Sequence, residues 1–379
     1  MLNKKVFRII YRKAIEEIFK VLYGKIIYNS KYTFNNIVIK SSNNKIFDKN
    51  KKYYTYNIKN GTVFTDDIQH VAAISNKHLF KNGSFQHSDN KLINIKSNIV
   101  LKKGTPKFQK KISGTVLSLV QGASGENYFH WLFDILPKIK ITSNNYKIIN
   151  INYFYLPNIG PTQMQSLKLL KIPANKILNS KFTRHLKAEK LIFTDHPWYK
   201  NGKVHDHSGS IPKWIIIWLR KKFLKFKKKF NCNKNIFIDR TESKFNHCQI
   251  INNDELSNFL KRNKFQSYKI GQLSFIKQIF LFNNANCIIG AHGAAFSNLV
   301  FCKPNTRIIE LKPYNHRGNN YKRISNVNKL DYNVIISKKR YLNNKSGDIY
   351  VDIKILDNKL KKNKKYLHLK NFRTIFPFI

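Results

Sequence analysis

The stretch Cys287-Ile288-Ile289-Gly290-Ala291-His292-Gly293-Ala294-Ala295-Phe296-Ser297-Asn298-Leu299-Val300-Phe301 constrains this chain most. It reads as a buried strand, a tight turn and the start of a helix. The short apolar run fits a strand covered on both faces. Gly290 and Gly293 let the backbone turn sharply and let a ligand come close. Small residues follow, so a helix can begin there with its free N–H groups pointing outward, an arrangement that suits phosphate. A second strand over 307–311 comes after a Pro-Asn turn. Two strands with a phosphate-competent turn between them make a nucleotide-binding half-domain the first expectation.

The chain upstream alternates in the same way. The sequence predicts a strand over 114–120, a loop over 122–127 and a helix over 128–140 that ends around Pro137. A strand over 153–157, a helix over 162–170, a strand over 190–193 and a helix over 214–229 follow, the last opened by Ile211-Pro212. A Lys-rich stretch running to Asn235 reads as a linker. A second alternation then covers a strand over 235–240, a helix over 254–262, a strand over 266–270 and a helix over 274–283. Alternation of this kind predicts parallel α/β architecture. Residues 23–110 carry short β-rich runs, such as 53–58 and 92–95, and read as a decorating region.

Length and charge narrow the classes of function. At 379 residues there is room for two domains, each with its own core. Lys and Arg number 70 against 20 Asp and Glu, a net charge of +50. Such a surplus suits a polyanion: nucleic acid, an anionic membrane face or an anionic sugar polymer. It follows equally from a composition rich in Lys, Asn and Ile throughout, as AT-rich codons produce, and the charge is spread along the chain. A basic stripe interleaved with aromatics is not evident, so no specific nucleic-acid partner is expected. Cys232, Cys248, Cys287 and Cys302 lack CxxC spacing, which predicts neither a disulfide framework nor a zinc site. No apolar run has the length of a signal peptide or a membrane span, so a cytoplasmic protein is expected, with peripheral contact at the inner face of the plasma membrane as an extension of that view. Phe7, Ile10, Ala14, Ile18 and Leu22 recur at helical spacing among Lys and Arg. They predict an N-terminal helix that either lies on a membrane surface or docks against the body.

Residues able to do chemistry fall at the ends of these elements. His130 and Asp134 are four apart and share a helix face. His130 lies in the first turn, near the carboxyl end of the preceding strand, where open α/β sheets bind ligands. A His oriented by a carboxylate can act as general base near neutral pH. The plainer reading is a packing His among Tyr128, Trp131 and Phe133, with Asp134 solvated. Glu126 and Asn127 sit in the adjacent loop. Arg240 ends a strand in the half-domain of the glycine turn, placed to clamp a diphosphate or to pair with Asp239 or Glu242. His292 could bond a phosphate or a donor sugar, or cap the turn. Glu310 ends the next strand and could accept from ribose hydroxyls or remain a surface carboxylate. His205-Asp206-His207, with His196 nearby, has metal-ligand residue types but no fourth ligand at diagnostic spacing. No Asp-x-Asp occurs, which disfavours a metal-bridged diphosphate, and no Walker-type Lys follows the glycine turn.

Five stretches together resemble glycosyltransferase family 61. They are Glu126-Asn127-Tyr128-Phe129-His130-Trp131-Leu132-Phe133-Asp134-Ile135-Leu136-Pro137, Ile238-Asp239-Arg240, Asn252-Asn253-Asp254-Glu255-Leu256, Gly290 to Asn298, and Ile308-Ile309-Glu310-Leu311, in the family's order and spacing. The chain looks like the bacterial branch of capsular polysaccharide biosynthesis proteins. The resemblance implies an α/β GT-B fold, two Rossmann-like domains facing a cleft. Here these would be an acceptor domain over 111–230 and a nucleotide-sugar donor domain over 231–345. A helix and β-rich extension over 1–110 would precede them, and a segment over 346–379 would pack back on the body. The resemblance also implies inverting transfer of a hexosyl or pentosyl group from a nucleotide sugar to a glycan or lipid-linked glycan, with no metal and no cofactor. His130 with Asp134 would be catalytic, with His292 the second candidate base. Arg240, Lys244, Gly290, His292, Gly293, Ala294, Asn298 and Glu310 would bind the donor, and Glu126 and Asn127 the acceptor. One departure stands out. The family's further arginines after the one matching Arg240 are missing from Thr241 to Cys248, where Lys244 and His247 are the candidates to replace them. The alternative is a basic α/β protein that binds polyanions through a degenerate transferase site.

Overall fold

The computed structural model describes residues 4–42, 47, 52–66, 70–88, 91–92, 94–121, 127–198, 211–241, 248–316, 318–339 and 347–361. The chain forms two compact units, Met1–Lys222 and Phe223–Ile379. Both are mixed α/β, built of sheets and helices with no barrel among the described residues.

The first unit has one nine-stranded sheet. Its strands are β1 Ile37–Ser42, β2 Tyr53–Thr65, β3 His70–Ser75, β4 His78–Ser88, β5 Lys91–Leu92, β6 Gln109–Ser118, β7 Tyr153–Leu156, β8 Ile177–Asn179 and β9 His185–Thr194. The order is β5-β4-β3-β2-β9-β6-β7-β8, with β1 on β2. The β-rich run after residue 23 is thus no decoration. β2 pairs antiparallel with β9 from Thr55↔Thr194 to Phe64↔His185 and contributes Tyr56, Ile58 and Val63 to the sheet's core. The cause lies in its side chains: Tyr56, Ile58 and Val63 are buried against Leu186, Leu191 and Phe193, so β2 needs a sheet neighbour. The strand expected over 92–95 is cut short because the Asn94 side chain accepts from the Lys96 N–H and draws the backbone into a 3-10 turn, Ile95–Ser97.

The four parallel strands β6 to β9 lie in the order β8-β7-β6-β9, third, second, first, fourth. That is the order of a Rossmann half, with its reversal between β6 and β9. The helical path after β6 runs as Tyr128–His130, Trp131–Ile135 and Leu136–Thr142, and the middle piece is a π-helix. Pro137 explains it. It has no N–H to give the Phe133 carbonyl, and the Leu136 N–H reaches back five residues to the Trp131 carbonyl. Residues 131–139 are all buried, so this helix is a core element.

The second unit has five strands: β10 Asn235–Asp239, β11 Gln266–Lys269, β12 Cys287–Ala291, β13 Arg307–Lys312 and β14 Asp331–Ile336. All pair in parallel, in the order β11-β10-β12-β13-β14, so the reversal falls between β10 and β12. Ile289, Ile309, Leu311 and Ile335 pack with Leu256, Phe259 and Leu260 of the helix Asn253–Arg262. Gly290 lies inside β12 and not at the turn. A Cβ there would come within 2.8 Å of the Ile238 Cβ, so the glycine lets β10 and β12 pack closely. The helix expected after the turn is an eight-residue 3-10 helix, Ala294–Phe301. Asparagine amides hold its last carbonyls: Asn328 donates to Leu299 and Val300, and Asn283 to Phe301.

Candidate active site

In open α/β sheets, ligands bind beyond the carboxyl ends of the strands, where the strand order reverses. Each unit concentrates its polar side chains at that place. In the first unit the centre is Asp134, fully buried. His130 Nδ1 lies 2.7 Å from Asp134 Oδ2, so a neutral His130 donates there through Nδ1 and keeps Nε2 as an acceptor. Gln121, just past β6, donates to the same oxygen at 2.9 Å. Trp198, just past β9, donates its indole N–H to Oδ1 at 2.5 Å. His196 Nε2 stands 3.8 Å from Oδ2. Burial alone would raise the Asp134 carboxyl, but the charge and hydrogen bond of His130, with help from His196, hold it well below the usual range. Burial pushes His196 down to about 4, so it is neutral near pH 7. Lys138, one turn beyond Asp134 and also buried, is brought down to about 8 by burial, opposed by the Asp134 charge.

In the second unit the centre is Glu310, also fully buried. Gly290 pairs with Glu310 across β12 and β13, and the next residue after β12 is His292. His292 Nδ1 lies 2.5 Å from Glu310 Oε1. Tyr332, on β14, donates its hydroxyl to Oε2. Lys312 Nζ is 3.7 Å from Oε2 and donates to the Gly318 carbonyl at 2.6 Å. The rings of His292 and His316 lie 3.7 Å apart. Arg240, just past β10, donates to the His292 carbonyl, and Tyr321 donates to the Gly293 carbonyl at 2.7 Å. A Cβ on Gly293 would overlap the Arg240 guanidinium, which is why this turn carries a glycine. Burial lowers Arg240, and the Cys248 and Tyr321 side chains oppose that. Burial and then the Glu310 charge push the Tyr332 and Tyr321 phenols up.

The residues expected from sequence fall into three groups. His130 and Asp134 meet, and so do Arg240, His292, Gly293 and Glu310. Ala294 and Ala295 are partly exposed at the start of the 3-10 helix. Asn298 faces the core, its amide donating to Gln278 Oε1 at 3.0 Å, and Gly290 is enclosed in the sheet. Asn127 is exposed and caps the helix by accepting from the Phe129 N–H at 3.0 Å. Glu126, Lys244, His247 and His205-Asp206-His207 lie outside the described residues. His196, weighed from sequence only as a metal ligand beside His205-Asp206-His207, joins the sites, as do Gln121, Trp198, His316, Tyr321 and Tyr332, which were not singled out for a site. Asp195-His196-Pro197-Trp198, directly beyond a strand's carboxyl end, is the one local signal that could have found two of them.

A family model described as Glycosyltransferase 61 matches residues 128–309, a span that begins at the helix of His130 and ends inside β13. No curated protein matches the chain.

Proposed function

Since its residues 128–309 place this chain in glycosyltransferase family 61, a glycosyltransferase that binds a donor and an acceptor, we propose an inverting reaction that draws on the groups at both strand reversals. The observation that carries this reading is the His130–Asp134 pair, a base-type imidazole with a buried, three-donor carboxylate behind it. His130 Nε2 takes the proton of an acceptor sugar hydroxyl. The hydroxyl oxygen bonds to the anomeric carbon of a nucleotide sugar, and the bond from that carbon to the diphosphate breaks on the opposite face. The electron pair leaves on the diphosphate oxygen. Asp134 holds the tautomer and offsets the charge that forms on His130.

In this reading the second unit receives the leaving diphosphate. Arg240 and the first N–H groups of Ala294–Phe301 meet its charge, so the proposal requires no metal. Lys244 is a further candidate for that charge, as Glu126 and Asn127 are for the acceptor. Glu310, with both oxygens engaged inside the sheet, orients His292 and does not reach out to a ribose. His292 then binds the donor, and Asn298 braces the turn from within. A cavity of about 500 Å³ beyond β13 and β14, lined by Tyr314, Asn315, Ile336, Ser337 and Lys338, has the size of a nucleoside site. A glycan acceptor and a role in surface polysaccharide synthesis belong to the same proposal.

The test is a thermal-shift screen of the full chain against nucleoside diphosphates and nucleotide sugars. At a hundredfold excess over Kd, one of them should stabilise the protein by about 2.7 kcal/mol. If none shifts the melt while polyanions bind and release with salt, the net charge of +50 points to the polyanion-binding alternative.

A further inference from the structure

The helix Lys4–Tyr23 has two apolar faces, and the body of the protein covers one. On the covered side Phe19 is buried with its ring 5.1 Å from Phe108, edge to face. Tyr23 packs edge-on to His185 at 4.8 Å, and its hydroxyl accepts from the Gln109 N–H at 3.0 Å. Glu16 lies 3.8 Å from Lys103. On the other side Phe7, Ile10, Tyr11, Ala14, Ile18, Val21 and Leu22 recur at intervals of three and four, so they form one stripe along the helix. All seven are exposed, Phe7 at 63%, Ile18 at 62% and Val21 at 89%. At about 100° per residue, Arg8 flanks one edge of the stripe and Glu17 the other, with Arg12 and Lys13 lying further round the helix.

A chain rarely leaves so long an apolar stripe in water unless something covers it. We propose that this face is a membrane-binding surface, with the helix lying in the headgroup region of a bilayer that contains anionic lipid. Charge complementarity selects this occupant. Lys4, Lys5, Arg8, Arg12 and Lys13 crowd the amino-terminal half, and both acidic residues of the helix sit near basic partners, Glu17 at 2.7 Å from Lys20 and Glu16 beside Lys103. A second copy would bring a like-charged row against this one, in a chain already at +50. No described helix is long and apolar enough to cross a membrane, so the helix lies on the bilayer and does not span it. Tyr23 anchors at Gln109 and His185, the amino ends of β6 and β9. The Asp134 cluster lies beyond the carboxyl ends of the same ten-residue strands, about 30 Å away along the strands. A bilayer at the amino ends therefore leaves the site at the other end clear. The inference holds whether or not the transferase reading does.

The test uses the full chain and vesicles of phosphatidylcholine alone or with phosphatidylglycerol. A Phe7→Trp variant reads insertion: its emission should shift to the blue on the anionic vesicles. Replacing Phe7, Ile18 and Val21 together by Ser keeps the net charge and removes exposed side chains only. It should lower partitioning onto anionic vesicles by at least about tenfold, since each buried methylene contributes to interfacial binding. Melting temperature, followed by circular dichroism, should stay close to that of the parent chain. The proposal is overturned if the Trp emission stays put. It is overturned equally if the triple variant floats as the parent does, which would mean bulk charge alone binds lipid. A parent chain that light scattering shows to be a dimer in the absence of lipid, with the triple variant a monomer, would assign the face to self-association instead.

Discussion

The two strand reversals hold the same device, a histidine whose Nδ1 meets a fully buried carboxylate, yet they build it from different material. In the first unit the pair is local, four residues apart on one buried helix. In the second it is remote, joining residue 292 to residue 310 across neighbouring strands. The surroundings differ as well. Asp134 is held by neutral donors, an indole and an amide, beside a neutral His196, with the buried Lys138 one turn further along the helix. Glu310 is held by a phenol and stands near Lys312, and its histidine lies beside the Arg240 guanidinium. A dyad whose carboxylate is held by neutral donors suits proton abstraction from a hydroxyl. A dyad in a cationic neighbourhood suits an anion. The side chain of His130 is 9% exposed and that of His292 is 18% exposed, so neither histidine is simply a solvated surface group.

The largest effect that separates the two should come from the histidines themselves. His130→Ala is expected to lower kcat by about 10²- to 10⁴-fold, the usual contribution of a positioned base. His292→Ala should act mainly on donor KM. Asp134→Asn should follow His130→Ala in kcat because an amide cannot hold the same tautomer. Steady-state kinetics with saturating acceptor makes the comparison. Full kcat in His130→Ala, with loss in His292→Ala, would exchange the roles of the two units.

Next in size is the clamp on the donor side. In Gly293→Ala the added methyl takes the space of the Arg240 guanidinium, the mobile end of a flexible side chain, so the fold should tolerate it. The guanidinium must leave the His292 carbonyl. If it clamps a diphosphate, donor KM should rise about tenfold or more, in line with loss of a charge-assisted hydrogen bond, while kcat changes less. An unchanged donor KM would remove Arg240 from the clamp.

The same contrast explains what sequence could and could not reveal. His130 and Asp134 were legible because helical spacing alone puts them on one face. Arg240, His292 and Gly293 were legible because each lies at or just past the carboxyl end of a strand in a parallel alternation, where ligands gather. The partner of His292 was not. Glu310 reads as a ribose ligand until the register places it inside the sheet beside β12. Trp198 and Tyr332 reach their carboxylates from 64 and 22 residues away, separations that no local period encodes. The β-rich run after residue 23 misled for a related reason: short strands look independent until one of them, β2, pairs with β9 far along the chain.

A smaller effect should distinguish how each carboxylate is supported. Tyr332→Phe removes a donor from buried Glu310 and should cost the second unit about 2 kcal/mol, the price of an underpaired buried charge. Denaturant unfolding would measure it, with hydrogen exchange locating the loss. A neutral result would mean that Lys312 or water takes over the missing bond.

The smallest effect concerns acid. His185 and His196 both belong to the first unit, and burial lowers each from 6.5 to about 4. The unfolded chain therefore binds protons at a higher pH than the folded one. Stability is intact above about 6.5 and falls as pH drops from there toward 4. Each histidine contributes a slope of at most about 1.4 kcal/mol per pH unit inside that window. Asp134, depressed from 3.8, loses its stabilising share only below the window and does not confuse the measurement. His196→Asn keeps an acceptor for the Trp198 backbone N–H, which in the parent chain donates to His196 Nδ1 at 3.3 Å. The variant should flatten the dependence of unfolding free energy on pH between 6.5 and 4 while leaving the behaviour of the second unit in place. An unchanged slope would show that His196 takes up its proton in the folded state as readily as in the unfolded one. The neutral imidazole beside Asp134 would then not persist into acid.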